Sequence, residues 1–425
     1  MKNSLLSSRL IFLLFLFLGI ITYYKAIYSD FYYDDLIRIA RIATVDDKVV
    51  FYPLPAYEAG LFSAINSILP DRPILMATIW LNYLVGAGNP MGYKLVNIFL
   101  HIINAFLLFE LLRFAARKIS PNKEKLLPLS LSLIFLTHPL NNQAVTMVIQ
   151  RGVLLSFLMA ALTIIASIYF IKTNRREYAF AAILFFALGV FSKSNILILP
   201  IILLATSRAL RLPKKAMHLF GALLLVGMLP GIFYFLLRVN FHAQSTEAAN
   251  WLHYGLAQSR VVFHYLSQVV FPWGFNISYP IQTSIIHWDG ITQLACLAHL
   301  AIISFSLFLW WKKSLVGTAL FCFYLSLIPE SSFFPIPHVV FDHRMYLPFA
   351  FLLFFLFFSL RKINEKITFP VFTVIVLLLV PLNYARNEEI QDYRKWATSS
   401  ALKYKNDPEG NRGYLDSLSS ISSRE

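Results

Sequence analysis

The stretch LLSSRLIFLLFLFLGIITYYKAI, residues 5–27, decides the fold. It is apolar over more than the roughly 18 residues that a helix needs to cross a bilayer. It ends in Tyr23, Tyr24 and Lys25 rather than in a small-x-small cleavage site, so we predict an uncleaved first span. The stretch FYYDD, residues 31–35, follows and places two carboxylates, Asp34 and Asp35, at the membrane surface.

The composition extends this prediction to the whole chain. With 58% hydrophobic and 14% charged residues, the chain has too little polar surface for a soluble globule. The formal charge of +15 does not indicate a nucleic-acid partner, because the basic residues lie in short clusters between apolar runs, as in membrane proteins. Cys296 and Cys322 both fall in predicted spans and indicate no disulfide framework or Cys-based metal site. We therefore expect an all-α polytopic membrane protein that contacts membrane lipids.

Basic clusters and segment lengths predict about eleven spans, with the N-terminus cytoplasmic and the C-terminus extracytoplasmic. The predicted outer loops are residues 29–92, 239–289 and 329–344. The spans are predicted near 5–27, 93–114, 126–140, 153–171, two within 178–207, 216–237, one before Lys312, 315–328, one before Arg361, and 368–384. The two spans within 178–207 form a hairpin with its outer tip at Ser192, Lys193 and Ser194, because one helix of this length would measure about 45 Å.

Two further apolar segments are not counted as spans. Residues 73–86 would form a helix only about 20 Å long, so we expect it to lie in the outer interface. Residues 251–271 are expected to form a surface or re-entrant helix, since Arg260 at the bilayer centre would cost about 3 kcal/mol. Residues 1–385 then form one transmembrane domain, and residues 386–425 form a short extracytoplasmic helical tail. We expect a bacterial inner membrane rather than the endoplasmic reticulum.

Motifs distributed from Asp34 to Pro348 resemble those of the transmembrane and tetratricopeptide-repeat protein O-mannosyltransferases and their bacterial relatives. They are Arg72-Pro73-Ile74, Leu81-Asn82-Tyr83, Gly86, Tyr93-Lys94-Leu95-Val96-Asn97, His101, Asn104, His138-Pro139, Ala144-Val145, Arg151, Ser192-Lys193 and His343-Arg344-Met345-Tyr346-Leu347-Pro348. That family belongs to the GT-C superfamily of lipid-linked sugar transferases. The resemblance implies a GT-C-type bundle, an outer-face active site, a polyprenyl-phosphate sugar as donor, and a base in the acidic first outer loop.

The chain also departs from the family pattern. Gln143 and Ser194 stand where the family has glutamates. The repeat domain is not found: residues 387–418, with Trp396 and Asp407-Pro408, resemble the opening helix of a single repeat. We therefore carry over neither mannose nor a particular acceptor, and an acceptor hydroxyl on protein Ser/Thr, on a glycan or on a lipid stays open.

Two carboxylates are the candidate catalytic groups. Glycosyl transfer needs a base that takes the proton of the acceptor hydroxyl, and in the related transferases the first acidic residue after span 1 has this role. We assign it to Asp34, with Asp35 as the second candidate or as the residue that orients Asp34. The alternative is an ordinary solvated loop. A close pair of carboxylates can also bind a divalent metal ion, the one cofactor that the sequence suggests.

Four cations are candidates for binding the donor phosphate: Lys193 and Arg344 first, then Arg72 and Arg151. Each has the alternative of an interfacial anchor whose charge reaches the lipid headgroups. For Arg72 and Arg151 a helix-capping role is equally compatible with the sequence. His138, His343 and Tyr346 are supporting candidates, although His138 fits a bond within the turn between spans 3 and 4 better than a chemical role.

Two other functions compete with a glycosyltransferase. A transporter or lipid flippase would have polar residues and broken helices near the middle of the bilayer. The candidate charges here lie at the outer ends of spans, which favours chemistry at the outer face. A non-catalytic scaffold would explain the two missing glutamates at positions 143 and 194. His101 and Asn104, on one face of span 2, are predicted to bond between helices.

Overall fold

The structure is a computed structural model that describes residues 8–45, 48–119, 126–243, 251–275, 288–333, 336 and 339–391. It confirms the predicted all-α polytopic membrane protein. The α-helices are α1 (Ser8–Ile27), α2 (Asp34–Arg38), α3 (Pro55–Glu58), α4 (Leu61–Ile68), α5 (Pro73–Gly86), α6 (Pro90–Ile119), α7 (Leu126–Thr137), α8 (Asn142–Thr146), α9 (Arg151–Thr173), α10 (Arg176–Val190), α11 (Leu199–Leu210), α12 (Lys214–Ala243), α13 (Trp251–Val270), α14 (Gly290–Trp311), α15 (Leu315–Leu327), α16 (Tyr346–Leu360) and α17 (Glu365–Glu389). Short 3-10 helices lie at Pro139–Asn141, Val148–Gln150, Ser194–Ile198 and Asp342–Met345.

Among the described residues, six helices are long and apolar enough to cross a bilayer: α1, α6, α9, α14, α16 and α17. Four shorter apolar helices are α5, α7, α11 and α15. The helix α5 was predicted to be too short to span, and its 14 residues agree with that expectation. The total of about eleven spans stays a prediction.

Prolines account for several helix boundaries. The predicted third span was to reach residue 140, but α7 ends at Thr137, because His138 precedes Pro139 and takes an extended conformation. Proline begins α5 and stands in the first turn of α11, where its missing N–H costs nothing. The segment 178–207 is divided as predicted, since α10 ends at Val190 and a 3-10 helix starts at Ser194.

The predicted inner loops meet at one end of the bundle, which we call the basic end. Arg113 Nη1 donates a hydrogen bond to Ser8 Oγ at 3.3 Å. The Lys172 ammonium lies 4.5 Å from the centre of the Phe114 ring, and Arg208 lies 4.5 Å from the ring of Trp311. Five segments predicted to share a side of the membrane are thus joined in two groups: the first two contacts link the N-terminus with the loops after spans 2 and 4, and the third links the loops after spans 6 and 8.

The predicted outer loops meet at the opposite end, which we call the site end; it comprises the described residues within 28–93, 138–151, 191–195 and 328–346. The helix α13 lies across it. Near its start, the Tyr254 hydroxyl accepts a hydrogen bond from Arg344. At its other end, the carbonyl of Val269 lies 3.1 Å from His138 Nε2. Both ends of α13 thus contact the same end of the bundle. This agrees with the prediction of a surface or re-entrant helix.

The first outer segment contains a β-hairpin that the sequence analysis did not predict. Strand β1 (Ala40–Val45) pairs antiparallel with β2 (Lys48–Pro53), with Ala40 opposite Pro53. The sequence of β2 is rich in Val, Phe and Tyr, which favour strands. The expectation of interfacial helices alone was therefore incomplete for this segment.

The hairpin belongs to a small apolar core at the site end, which we call the cap core. Its buried members are Phe31, Tyr32, Ile39, Ala40, Tyr57, Ala64, Ile68, Leu75, Met76, Ile79, Tyr93, Met147, Val148, Ile149 and Ile390. A separate, larger core joins α1, α6, α7, α9, α13, α16 and α17. The first outer segment is thus a folded cap rather than an open loop.

The predicted boundary of the transmembrane domain at residue 385 falls within α17, which continues to Glu389. Asn387 is buried; it accepts a hydrogen bond from Asn142 at 2.6 Å and donates one to the Thr22 carbonyl at 2.8 Å. Arg386 forms a buried ion pair with Asp342 at 2.7 Å. The end of α17 therefore packs within the bundle, and the predicted tail from residue 392 onward lies outside the described residues.

Candidate active site

The two candidate carboxylates begin α2 and differ in their surroundings. Tyr33, just before them, has φ 54° and ψ −120°, an uncommon backbone conformation for a residue with a side chain. The preceding Tyr32 is buried in the cap core, with its hydroxyl 2.6 Å from Thr146 Oγ1. Asp35 is completely buried, whereas Asp34 is partly exposed. The sharp turn thus points two adjacent acidic residues into different environments.

Asp35 joins the first outer segment to the start of α9. Its Oδ2 accepts a hydrogen bond from the backbone N–H of Val148 at 3.0 Å, and its Oδ1 accepts one from Ile149 at 2.8 Å. Burial raises the pKa of the Asp35 carboxyl to about 6, although the positive charge of Lys94 and the two backbone bonds oppose the rise. Both oxygens of Asp35 are therefore engaged by the protein, and its contacts are those of a structural anchor.

Tyr33, the residue before Asp34, contacts the part of the chain that carries Arg344. The ring of Tyr33 packs edge-on against Phe341, with 5.8 Å between the ring centres. The Arg344 guanidinium lies 5.6 Å from the centre of the same Phe341 ring. One aromatic ring therefore joins the segment of the predicted base to a predicted phosphate-binding cation.

Three of the four predicted phosphate-binding cations come together. Lys193 Nζ lies 2.7 Å from Glu330 Oε1, and both side chains are largely buried. Arg72 and Arg344 act electrostatically on both members of this pair. Burial by itself would raise the pKa of Glu330, but the positive charges of Lys193, Arg344 and Arg72 hold it below its usual value. The site therefore contains an ionised carboxylate among three cations.

Arg344 itself is held by neighbouring segments. Its Nη1 donates to the Val339 carbonyl at 2.8 Å and to the Tyr254 hydroxyl at 3.3 Å. The hydroxyl of Tyr265 donates to the carbonyl of Phe341 at 2.9 Å, so α13 supports the same segment a second time. The surface helix thus fixes the position of the Arg344 side chain.

Arg151 is placed differently from the other three cations. It is completely buried, and each of its three nitrogens donates to a protein oxygen. Nε reaches Asn97 Oδ1 at 2.8 Å, Nη1 reaches the Thr78 carbonyl at 2.9 Å, and Nη2 reaches the Tyr93 carbonyl at 3.1 Å. Arg151 therefore connects α5, α6 and α9, and its assignment to the donor phosphate, which these contacts do not support, stays a prediction.

The supporting histidines form bonds between segments. His138 Nδ1 accepts from the Leu140 N–H at 3.1 Å, which agrees with the expected bond within its turn. Gln143 Oε1 lies 3.1 Å from the backbone nitrogen of His343 and 3.0 Å from its Nδ1. Because an amide oxygen accepts hydrogen bonds as a carboxylate does, Gln143 makes contacts that a glutamate could also make.

Tyr346 lies deeper, at the start of α16. Its hydroxyl is 2.7 Å from His101 Nδ1 and accepts a bond from Asn104 Nδ2 at 3.2 Å. These are bonds between helices, as predicted for His101 and Asn104. They account for these polar residues by helix packing.

Two polar residues at the site end were missed by the sequence analysis as candidates. Glu330 follows the apolar run of α15, just as Asp34 follows α1, and this position was the available signal. Lys94 is completely buried; its Nζ donates to the Thr146 carbonyl at 2.5 Å and lies 4.8 Å from the centre of the Tyr32 ring. No local pattern pairs Lys94 with Asp35 or Glu330 with Lys193.

In the part of the chain that the structure describes, no group of three or more His, Cys, Asp or Glu side chains could hold a metal ion. The metal considered for Asp34 and Asp35 would also compete with the two backbone N–H groups that bond Asp35. The divalent metal ion considered for Asp34 and Asp35 stays a prediction.

Comparison with known proteins gives partial matches. A protein O-mannosyl-transferase of Caenorhabditis elegans is 26% identical over 190 residues, which cover 43% of this chain and 26% of the relative. Protein O-mannosyl-transferase Tmtc1 of Drosophila melanogaster is 28% identical over 149 residues, 33% of this chain and 16% of the relative. TMTC3 of Homo sapiens is 29% identical over 155 residues, 34% of this chain and 16% of the relative. No family model and no solved structure matches the chain.

The fold and these matches together define a polytopic membrane protein that is similar to glycosyltransferases. The resemblance to the transmembrane and tetratricopeptide-repeat protein O-mannosyltransferases is confirmed. The matches span about a quarter or less of the length of these relatives. The wider assignment to the GT-C superfamily, the bacterial inner membrane and the orientation of the termini stay predictions.

Proposed function

We propose that the chain is a glycosyltransferase that moves a sugar from a polyprenyl-phosphate donor to an acceptor hydroxyl at the outer face of the membrane. The observation that carries the proposal is the contact of Tyr33 and Arg344 with one ring, Phe341. This contact supports the proposal because Tyr33 directly precedes the partly exposed Asp34, and Phe341 belongs to the segment that carries Arg344, one of three cations at the same end of the bundle. A transferase needs such a combination, since a base acts on one reactant while cations hold the other.

In this proposal Asp34 is the general base. The acceptor oxygen attacks the anomeric carbon of the donor sugar and gives its proton to the Asp34 carboxylate. The bond between that carbon and the phosphate oxygen breaks, and the electron pair leaves with the polyprenyl phosphate. Lys193, Arg344 and Arg72 stabilise the phosphate as its negative charge grows. Asp35 acts as a positioning residue, because its two backbone bonds fix the start of α2.

The acceptor remains open between a protein Ser/Thr hydroxyl and a glycan or lipid hydroxyl. The names of the matched relatives specify mannosyl transfer to protein. A polyprenyl-phosphate mannose is therefore the first donor to test, followed by other hexoses on the same carrier.

The decisive experiment compares Asp34→Asn with the unmodified chain in membranes supplied with the polyprenyl-phosphate sugar. The amide keeps the size of the side chain but cannot accept a proton at neutral pH, so transfer should fall about a hundredfold to ten-thousandfold. Donor binding should persist, because other residues hold the phosphate. Glu388→Gln is the matched control: Glu388 pairs with Lys25 at 3.2 Å, outside the proposed site, and transfer should be unchanged. Wild-type transfer by Asp34→Asn would contradict the mechanism.

A further inference from the structure

The Lys193–Glu330 ion pair occupies the centre of the proposed phosphate site. The Glu330 side chain is 18% exposed and that of Lys193 is 6% exposed, with 2.7 Å between the charged atoms. Glu330 lies just beyond α15, and its backbone N–H donates to the Leu327 carbonyl at 3.2 Å. A carboxylate therefore already lies on the ammonium that a donor phosphate would need.

Positive charge exceeds negative charge around this pair. Arg72 and Arg344 both act on it electrostatically, and Asp71 lies 3.4 Å from Arg72 Nε. Within the described residues that act on the pair, three cations thus face two carboxylates. Replacing the Glu330 carboxylate by a phosphodiester, which also carries one negative charge, would leave this balance unchanged.

An unsatisfied donor follows the pair directly in the sequence. The Ser331 hydroxyl is buried and forms no hydrogen bond within the described residues. Arg72 Nε lies 3.4 Å from Asp71 Oδ2, an ion pair without hydrogen-bond geometry. Buried donors are usually bonded, because leaving one without an acceptor is unfavourable. A ligand with several acceptor oxygens would satisfy Ser331 and give Arg72 Nε a hydrogen-bond acceptor, whereas the Glu330 carboxylate does neither.

We propose that Glu330 is a built-in competitor for lipid phosphate: its carboxylate occupies the place on Lys193 that the phosphate of a phosphate-ester lipid takes, and it leaves Lys193 when that lipid binds. The inference rests on the proposed function for the identity of the lipid. It adds a consequence for turnover, because a returning Glu330 carboxylate would help to release the polyprenyl phosphate product from the three cations.

The test measures binding of undecaprenyl phosphate to the full chain in nanodiscs of uncharged lipid, with no sugar transfer involved. Glu330→Gln should bind this probe at least about tenfold more tightly than the unmodified chain, because a competing charge is removed. Undecaprenol, which lacks the phosphate, should bind both proteins equally. Glu388→Gln, which removes a carboxylate from a separate ion pair, should leave the affinity for undecaprenyl phosphate unchanged.

Further variants allow the test to be interpreted if Glu330→Gln fails to fold. Glu330→Asp withdraws the carboxylate from Lys193 by one methylene and should give a smaller gain. Lys193→Met combined with Glu330→Gln removes both charges together and should show no gain over Lys193→Met alone. Equal affinities of all folded Glu330 variants and the unmodified chain for undecaprenyl phosphate would overturn the proposal.

One soluble anion and one lipid anion test whether the site binds a lipid phosphate or free phosphate. Inorganic phosphate at the same concentration should compete only weakly with undecaprenyl phosphate, whereas dioleoyl phosphatidic acid, which is also a phosphate-ester lipid, should compete. An equally strong gain for inorganic phosphate in Glu330→Gln would assign the site to free phosphate and overturn the lipid assignment. Because binding is measured without transfer, failure of the Asp34 experiment and failure of this one can be told apart.

Discussion

Two buried carboxylates at the site end, Asp35 and Glu330, are held in different ways. Both oxygens of Asp35 accept bonds from backbone N–H groups of a 3-10 helix, which are fixed by the fold. Glu330 is held by the ammonium of one lysine, at the end of a long side chain. The difference separates two roles for buried charge: backbone donors stabilise one conformation, whereas side-chain cations can exchange one anion for another.

The largest expected effect comes from removing the Asp35 carboxylate. Asp35→Ala leaves two buried N–H groups without acceptors and Lys94 without its nearest carboxylate, so the free energy of unfolding should fall by about 3–5 kcal/mol. Denaturation in mixed detergent micelles measures this. Asp34→Ala, at the partly exposed neighbouring position, should change stability much less. Equal stability of the two variants would show that the Asp35 bonds do not anchor the cap.

A smaller effect should appear in the pH dependence of stability. The folded-state pKa of Asp35 is raised from 3.8 to about 6. The contribution of Asp35 to the free energy of unfolding is therefore complete below about pH 4 and is lost as the pH rises through about 6. The loss is about 3 kcal/mol at most. In Asp35→Asn the amide side chain at this position does not titrate in this pH range. The difference in unfolding free energy between the unmodified chain and Asp35→Asn should thus decrease from pH 4 to 6.5, and a constant difference would contradict the raised pKa.

The smallest effect concerns the turn that carries Lys193. A Cβ on Gly152 would lie 3.1 Å from the Ser192 carbonyl and 3.7 Å from Lys193 Cβ. Gly152→Ala should therefore shift this turn, weaken binding of undecaprenyl phosphate about two- to fivefold and cost about 1 kcal/mol of stability. Gly221→Ala in α12 is the matched control, because no atom lies within 4 Å of its added Cβ. Unchanged binding of undecaprenyl phosphate by Gly152→Ala would show that the position of the Lys193 turn does not matter for lipid binding.

Much of the architecture could be predicted from the sequence because bilayer thickness and charge distribution act locally. The length of its apolar run was enough to predict that α5 is too short to span the bilayer. The free-energy cost of Arg260 in a membrane argued against a crossing by α13. Arg260 instead forms an ion pair with Asp289 and a hydrogen bond with Thr292 at the start of α14. The β-hairpin was missed, because a search for apolar runs does not detect two six-residue strands in an outer loop.

The site was predicted less completely, since its contacts join distant segments. Charge and position selected Lys193, Arg72 and Arg344, which the fold brings together. The same criteria selected Arg151, whose guanidinium is used for packing, and did not separate Asp34 from Asp35. That distinction depends on backbone N–H groups at Val148 and Ile149, whose direction is not encoded in any pattern near residue 35.

The long sequence separation between Asp35 and the backbone N–H groups that donate to it has a consequence for biosynthesis. The Asp35 bonds join residues 113 and 114 positions apart, so at about 5–20 residues per second the ribosome needs about 6–23 s to supply the partners of this side chain. Until Val148 and Ile149, just before α9, have been synthesised, the first outer segment lacks the hydrogen bonds that Asp35 accepts from them. The bond between Asn387 and Thr22, 365 positions apart, forms later still. The nascent chain thus completes its site end only after most of its helices have been inserted.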